Sequence, residues 1–348
     1  MSVQAKNYAP RDAAAACLAR SGTSCTAHTR AYRDGVVVAE GFPVAEVSDH
    51  LAAPGTVVWL DLADPDRADL AVLTEELDLH PLAIEDAVND RQRPKVDRYP
   101  DHLFLNAYFV SLDGPSGTLA TAEIAAFVLP NALVTVRKDP SIALEPLLAA
   151  WDGARPQPGS GVAFLLHGLV DVVVDGHFAV VQELDEALEA LEEVLFDPKP
   201  RPVELQRRSF ELRKSLVQLR RVVLPMREVV NTLLRRDVGV IDEAMQPYFQ
   251  DVYDHVLRAG EWTESLRDLV STILETNLTV QGNRLNEVMR RLTAYAALLG
   301  VTTAVTGFFG QNVPYPGFSQ HSGYIASVVI LGGSVAVLWW MFRKRGWL

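Results

Sequence analysis

The chain is poor in the residues that announce extracellular or catalytic chemistry. It has 348 residues and only two cysteines, Cys17 and Cys25, eight positions apart in an Ala/Thr/Ser-rich stretch. With no further Cys and no paired His beside them, they make neither a disulfide framework nor a zinc site, and a reducing compartment is expected. The N-terminus has no basic start followed by an apolar core, so no signal peptide is expected. Basic residues are outnumbered, and the formal net charge is −12. That balance argues against a nucleic-acid partner, which calls for clustered Lys and Arg, and fits attraction of cations or plain solubility. No Gly-rich phosphate loop, nucleophile elbow or nucleophile–base–orienter set is present, so an enzyme is not expected.

Present instead is a change of pattern along the chain. Residues 1–28 are polar, Ala-rich and aperiodic, which predicts a disordered tail. From 29 to 140, β-rich runs (YRDGVVVAEG, GTVVWLDL, HLFLNAYFV, EIAAFVLP, ALVTVRKD) are separated by turn signals and by the helical stretches PDRADLAVLTEEL and HPLAIEDAVND. This predicts an α/β domain with a mixed sheet. Residues 141–247 are helical: an acid-rich stretch from Val162 to Phe196 and an Arg-rich one from Val203 to Arg236, joined by DPKPRP, predict an antiparallel hairpin with its charges solvated and mutually paired. No proline occurs between Pro247 and Pro314. Helical periodicity over 248–309 predicts one helix on the order of 90 Å long, which suits a coiled coil, a membrane span, or both.

Charge is absent from two stretches. Leu292–Phe309 and Gly323–Phe342 contain no Asp, Glu, Lys or Arg, and each approaches the roughly 20 residues that cross a bilayer. Trp339 and Trp340 stand near the end of the second, where amphipathic rings favour the interface. Arg290 and Arg291 precede the first stretch, and Arg343, Lys344 and Arg345 open the tail 343–348, whereas the loop 310–322 has no Lys or Arg. The positive-inside rule then puts both termini in the cytoplasm and the loop outside. Two helices enclose no aqueous path, so conduction requires an oligomer.

The long helix carries two rows. Val252, Val256, Ala259, Leu266, Val270, Ile273 and Val280 form a heptad-like seam, with gaps at Thr263 and Asn277, suited to packing on another helix. Further along, Glu275, Leu278, Gly282, Asn286, Met289, Thr293, Ala296, Gly300, Thr303 and Gly307 follow one another at spacings of three and four. Small and polar residues on one face suit close helix packing or the lining of a water-filled path. Glu275, Asn286 and Thr303 favour the path. In a ring of identical subunits, Leu278 and Met289 would be its apolar constrictions.

The stretches PYFQDVYDHVLRAGEWTESLRDLVSTILE, NRLNEVMRRLTAYAALLGVTTAVTGFFGQN and FRKRGWL, with HPLAIEDAVNDRQRPKVD and LRRVVLPMREVV upstream, resemble the CorA family of divalent metal transporters over about residues 30–348. The resemblance implies a funnel-shaped homopentamer in the plasma (inner) membrane, with the α/β domains in the cytoplasm, the long helix lining a pore and the second span outside it. It implies transport of Mg²⁺, with Co²⁺ and Ni²⁺ able to pass or bind. The family's extracellular Gly-Met-Asn tripeptide reads Gly310, Gln311, Asn312 here, and Phe309 stands where the family usually has Tyr. A ring of Asn312 amide oxygens would hold a hydrated Mg²⁺ through its waters without fixed charge. Many members have an acidic residue just after the tripeptide, and VPYPGFSQHSGY has none. Zinc-transporting relatives usually read Gly-Ile-Asn, so a Zn²⁺ transporter of the same fold, with or without proton coupling, is the alternative. The resemblance further implies that Asp86 and Asp251 bind divalent cations between neighbouring subunits, holding the assembly closed when internal Mg²⁺ is high.

Two other patterns compete. His167, Asp171 and Asp175 share a helix face, with His177 nearby, and could bind a transition metal or simply hydrogen-bond between helices, and His255, four residues after Asp251, could be a softer co-ligand there. His321 is assigned to the outer loop. A membrane-anchored oligomeric scaffold that conducts nothing is the competitor from another class.

Overall fold

In the computed structural model, the described residues are 25–89, 92–113, 118–140, 142–153, 160–195, 202–236 and 238–348. Cys17 and most of the expected tail lie outside them, as does the DPKPRP connection before Pro202. Internal packing divides the chain into two units, one up to Ser271 and one from Thr272.

The first unit is built on a seven-stranded mixed sheet. Its strands are β1 (Thr26–Arg33), β2 (Val36–Glu40), β3 (Thr56–Ala63), β4 (Lys95–Arg98), β5 (Leu103–Asp113), β6 (Thr118–Val128) and β7 (Ala132–Arg137), in the order β2-β1-β3-β7-β6-β5-β4. The tail boundary therefore falls earlier than position 29: Cys25 is buried, and β1 is in register with β3 from Thr26 opposite Ala63. Only β3 and β7 run parallel; the other pairs are antiparallel. These two strands are covered on both faces, which explains their nearly continuous apolar sequences. Between them Asp61 accepts from Thr135 at 2.7 Å and is paired with Arg137 at 2.7 Å, a buried ion pair whose remaining lone pairs are occupied.

One face of the sheet is covered by α1 (Val47–Leu51), α2 (Arg67–Leu77) and α3 (Pro81–Val88). Val58, Leu60, Leu62, Phe104 and Phe127 meet Leu70, Leu73, Ala83 and Ala87 there. Helix α2 starts on a capping box made by Asp66 and Asp69. Helix α3 starts on His80, whose side chain accepts from the Leu82 amide at 3.2 Å, with Pro81 in the first turn. The opposite face is covered by α4 (Glu145–Gly153), α5 (Gly161–Leu195), α6 (Pro202–Leu233) and the start of α7 (Gln246–Phe309). Trp59, Leu105, Ile124 and Leu133 pack there with Trp151, Leu166, Val170, Met226 and Phe249. Ion pairs of α6 run along its own surface, from Glu204 to Arg207 and Arg208, and across to α7 from Arg220 to Glu264.

The seam on α7 is buried as far as Ile273: Val252, Val256, Ala259, Leu266, Val270 and Ile273 are at most 3% exposed, and Val280 is half-buried. Thr263 and Asn277, the two gaps in that seam, are buried as well, and Thr263 donates to the Ala259 carbonyl at 2.6 Å. A buried threonine that bonds back to its own helix continues a packing face without an unmet donor.

The second unit holds the rest of α7 and α8 (His321–Lys344). His321 is the first residue of α8 rather than a loop residue, and its ring lies over Tyr324. Among the described residues three helices are long and apolar enough to cross a membrane: α5, α7 and α8. The most apolar window of α5 is 61% buried against its neighbours, and those of α7 and α8 are only 6% buried. Helix α5 is thus the core helix of the α/β unit, and α7 and α8 present their apolar surface outward.

Candidate ion path and regulatory carboxylates

Along the second unit every residue of α7 from 281 to 293 is exposed, and from Ala294 onward the helix has two unlike faces. Ala294 is fully buried, and Leu298, Val301, Thr302, Val305 and Phe309 are half-buried. Val305, Thr306 and Phe309 share a hollow with Ser327, Val328 and Leu331 of α8. The other face holds Glu275, Leu278, Gly282, Asn286, Met289, Thr293, Ala296, Gly300, Thr303 and Gly307, and all ten are exposed. A Cβ added at Gly282, Gly300 or Gly307 would meet nothing within 4 Å. The small residues of this row therefore do not serve contact with α8. Thr293 and Thr303 donate to the carbonyls of Met289 and Leu299 at 2.8 and 2.9 Å. Their oxygens keep lone pairs directed outward as acceptors.

The tripeptide closes α7. The Gly310 amide donates to the Thr306 carbonyl at 2.9 Å, and a Cβ at this position would stand 3.0 Å from that same oxygen. A side chain there would be tight and would need the carbonyl to give by a few tenths of an ångström. The Gln311 amide reaches the Phe308 carbonyl at 3.4 Å, and Gln311 and Asn312 are exposed. Sequence reasoning missed what holds this turn in place. Tyr315 sets its ring edge-on to Phe309 at 5.2 Å and to Phe318 at 5.4 Å, and its hydroxyl approaches the Phe309 carbonyl at 3.5 Å. Further on, Gly317 has φ +90° and lies so close to Gly323 that a Cβ on Gly323 would come within 2.3 Å of the Gly317 oxygen. An aromatic cluster and a glycine contact thus join the loop to the start of α8. The signal was present in PYPGF, where two aromatic residues and a glycine alternate with prolines.

Asp86 and Asp251 both belong to the first unit. Asp86, on α3, is bound to Lys95 of β4 at 2.6 Å, and the same ammonium binds Asp97 at 2.7 Å. Burial opposes the charge on Lys95, but hydrogen bonds to Asp86 and Asp97 outweigh it and hold its pKa above the usual lysine range. Asp251, on α7, is well exposed and lies 4.0 Å from His255, which in turn is 3.6 Å from Asp175. Among the described residues no group of three or more His, Cys, Asp and Glu side chains is placed to hold a metal ion within one chain.

Of the competing His/Asp pattern only His177 departs: Asp171 stays within electrostatic reach of His167, Asp175, His255 and Asp251. His167 packs edge-on to Phe249 at 5.4 Å, and burial lowers its pKa. Burial raises that of Asp171, with His167 opposing the rise. His177 points away to the sheet, 2.8 Å from the Tyr108 carbonyl, and its complete burial lowers its pKa to about 4.

With this geometry in hand, comparisons place the chain. The family model described as "CorA-like Mg2+ transporter protein" matches residues 54–344. The chain is 29% identical over 302 residues to the "Cobalt/magnesium transport protein CorA" of Thermotoga maritima, covering 84% of each. It is 30% identical to the "Putative metal ion transporter YfjQ" of Bacillus subtilis, over 83% of this chain and 89% of that one. The complete structure of the CorA magnesium transporter from Methanocaldococcus jannaschii superimposes with a TM-score of 0.75 at 20% identity, covering 92% of this chain and 98% of the other. A mixed α/β unit, a long helix ending in Gly-Gln-Asn and a second apolar helix are thus the parts of a membrane transporter, and the chain belongs to the CorA family.

Proposed function

We propose that this chain forms a homopentameric channel for divalent cations, Mg²⁺ first, in the plasma membrane. Its two spans are the apolar end of α7 and α8, and both termini are cytoplasmic. The observation that carries this is the row on α7: ten small, polar or constricting residues exposed together, with open space over the glycines. Five such rows around an axis enclose a path, with Asn312 at its outer mouth and Leu278 and Met289 as its narrow apolar points. Positive charge flanks the spans on one side only, at Arg290, Arg291, Arg343, Lys344 and Arg345. An inside-negative potential contributes roughly 2.3 kcal/mol per elementary charge per 100 mV, doubled for a divalent ion, so uptake needs no other drive.

The deciding experiment is ion flux into proteoliposomes holding the purified protein, for Mg²⁺, Co²⁺, Ni²⁺ and Zn²⁺, with and without a proton gradient. Mg²⁺ flux indifferent to the gradient, and lost in Asn312→Ala while the oligomer keeps its size, supports the channel. No flux from either protein leaves a scaffold and sinks the proposal. Gln311 at the centre of the tripeptide favours one second reading: Zn²⁺ flux that follows the proton gradient would make that position a selectivity determinant.

Internal Mg²⁺ closes the channel through Asp86 and Asp251 of adjacent subunits, since carboxylates that repel when empty are bridged by a hard cation. In electrophysiological dose–response, Asp86→Ala with Asp251→Ala raises the internal Mg²⁺ concentration needed for inhibition. An unchanged curve rejects this role.

A further inference from the structure

Lys95 already occupies the position a regulatory cation would take at Asp86. Its ammonium nitrogen lies 2.6 Å from one Asp86 oxygen and 2.7 Å from one Asp97 oxygen, so those two oxygens are no more than about 5.3 Å apart. Asp86 and Lys95 are mostly shielded from water, with 24% and 30% of their side chains exposed, so screening weakens this attraction less than it would a surface pair. The backbone fixes the arrangement. Lys95 opens β4 opposite Asn106 of β5, its ammonium lies 5.7 Å from the centre of the Phe104 ring, and Asp97 is two residues along the same strand, on the same side of the sheet. A free divalent ion approaching Asp86 therefore meets a carboxylate already neutralised by a tethered monovalent one.

We propose that the Lys95 ammonium is a built-in counter-cation that competes with divalent cations for Asp86 and so sets the concentration at which they act. This rests on the regulatory reading of Asp86 given above. Asp97 serves as the second anchor, holding the ammonium in place and giving it a partner when it leaves Asp86. With Asp97 still holding the displaced ammonium, a divalent ion at Asp86 has only that one carboxylate from its own chain, so the competition makes Asp86 by itself a poor binder. The cation then acts only where a further oxygen ligand comes from elsewhere.

The test uses the full-length protein and Mg²⁺ itself, read two ways: inhibition of flux, and protection of the cytoplasmic unit from limited proteolysis. Lys95→Gln, which removes the charge and keeps most of the length, should lower the half-maximal Mg²⁺ concentration about three- to tenfold in both. Lys95→Met is the second variant where Gln disturbs assembly, and Lys95→Arg should stay near the parent. A merely structural role for Lys95 would loosen the response to Mg²⁺ and move the midpoint upward. An unchanged or raised midpoint in the charge-removed variants, with Asp86→Asn shifting it, overturns the competition and leaves the regulatory reading intact. Asp86→Asn that shifts nothing overturns both. Lys95→Gln that still lowers the midpoint in an Asp86→Asn background places the effect elsewhere and also overturns the proposal.

Discussion

Helices α5 and α8 are both long and apolar enough to span a bilayer, yet they solve opposite problems. In α5, Leu165, Leu166, Leu169, Val170, Val173 and Val174 are almost wholly covered by the sheet and its neighbouring helices. In α8, Ile325, Val328, Val329, Ile330, Val337 and Trp340 stand open. The difference extends to the two units. Beyond Ile273 the fully buried hydrophobic residues are Ala294 and Phe342, whereas the unit before it has two cores, one on each face of its sheet. Apolar composition alone does not distinguish a core helix from a span. What distinguishes them is whether the rest of the chain supplies a cover, and for α7 and α8 in one chain it does not. On the function proposed above, lipid and further copies of the chain would supply it instead.

A matched pair of substitutions breaks or sharpens this comparison most strongly. Val329 and Val203 are both exposed, at 65% and 79%. If Val329 meets lipid, Val329→Arg adds about 2.5–3.5 kcal/mol to insertion near a helix centre and should abolish membrane-integrated oligomer, measured by carbonate extraction and native size. Val203→Arg, in water on α6, should change stability by less than about 0.5 kcal/mol. Equal tolerance at both positions would refute the assignment of α8 to the membrane.

Next in size is the pH dependence of the α/β unit. His177 is fully buried, with a folded pKa of about 4 against an ordinary value of 6.5. The unfolded chain therefore takes up a proton that the folded chain refuses. The contribution of His177 is fully present above about pH 6.5 and is lost as pH drops toward 4, roughly 3 kcal/mol from this group. Denaturant midpoints between pH 4.5 and 7 should follow this slope, and His177→Gln should flatten it. The apolar surface of α7 and α8 has no such dependence.

A smaller effect is expected at Gly168, on the buried side of α5. A Cβ there would stand 2.4 Å from Trp151 Nε1, the same nitrogen that donates to the Leu165 carbonyl at 3.1 Å. Gly168→Ala should destabilise by about 1–3 kcal/mol, less the ~1 kcal/mol that alanine contributes as a better helix former, seen as a lower midpoint in thermal unfolding of the solubilised protein. Gly333, on α8, has open space where its Cβ would be, and the same change there should not lower that midpoint.

Much of this architecture was legible from periodicity. The long helix is continuous because nothing in it interrupts the pattern, and β2, β3, β5, β6 and β7 announce themselves as apolar runs rich in β-branched and aromatic residues, whereas β1 begins inside the stretch expected to be a tail. The elements that escaped have no pattern of their own. Strand β4 reads KVDR and exists because β5 offers it an edge; α4 is held by Trp151 seated against Trp59 at 4.9 Å. The exposed row was legible because a 3.5-residue spacing survives over many turns. The Tyr315 cluster was not, because a loop has no period to count. Nor was the Asp86–Lys95 pair, whose nine-residue separation is closed by a strand that the local sequence does not favour.

The outward row has one further consequence. From Leu278 to Gly307 it contains no carboxylate, and Gly310, Gln311 and Asn312 add none. On the proposed path from Leu278 to the outer mouth an ion would find dipoles but no deep electrostatic trap, the one carboxylate of the row, Glu275, standing at its inner end. Such a path holds its passenger briefly, so its throughput is governed by how often ions arrive rather than by how slowly they leave. Transport would then rise in proportion to outside concentration over a wide range, and this protein would trade affinity for speed.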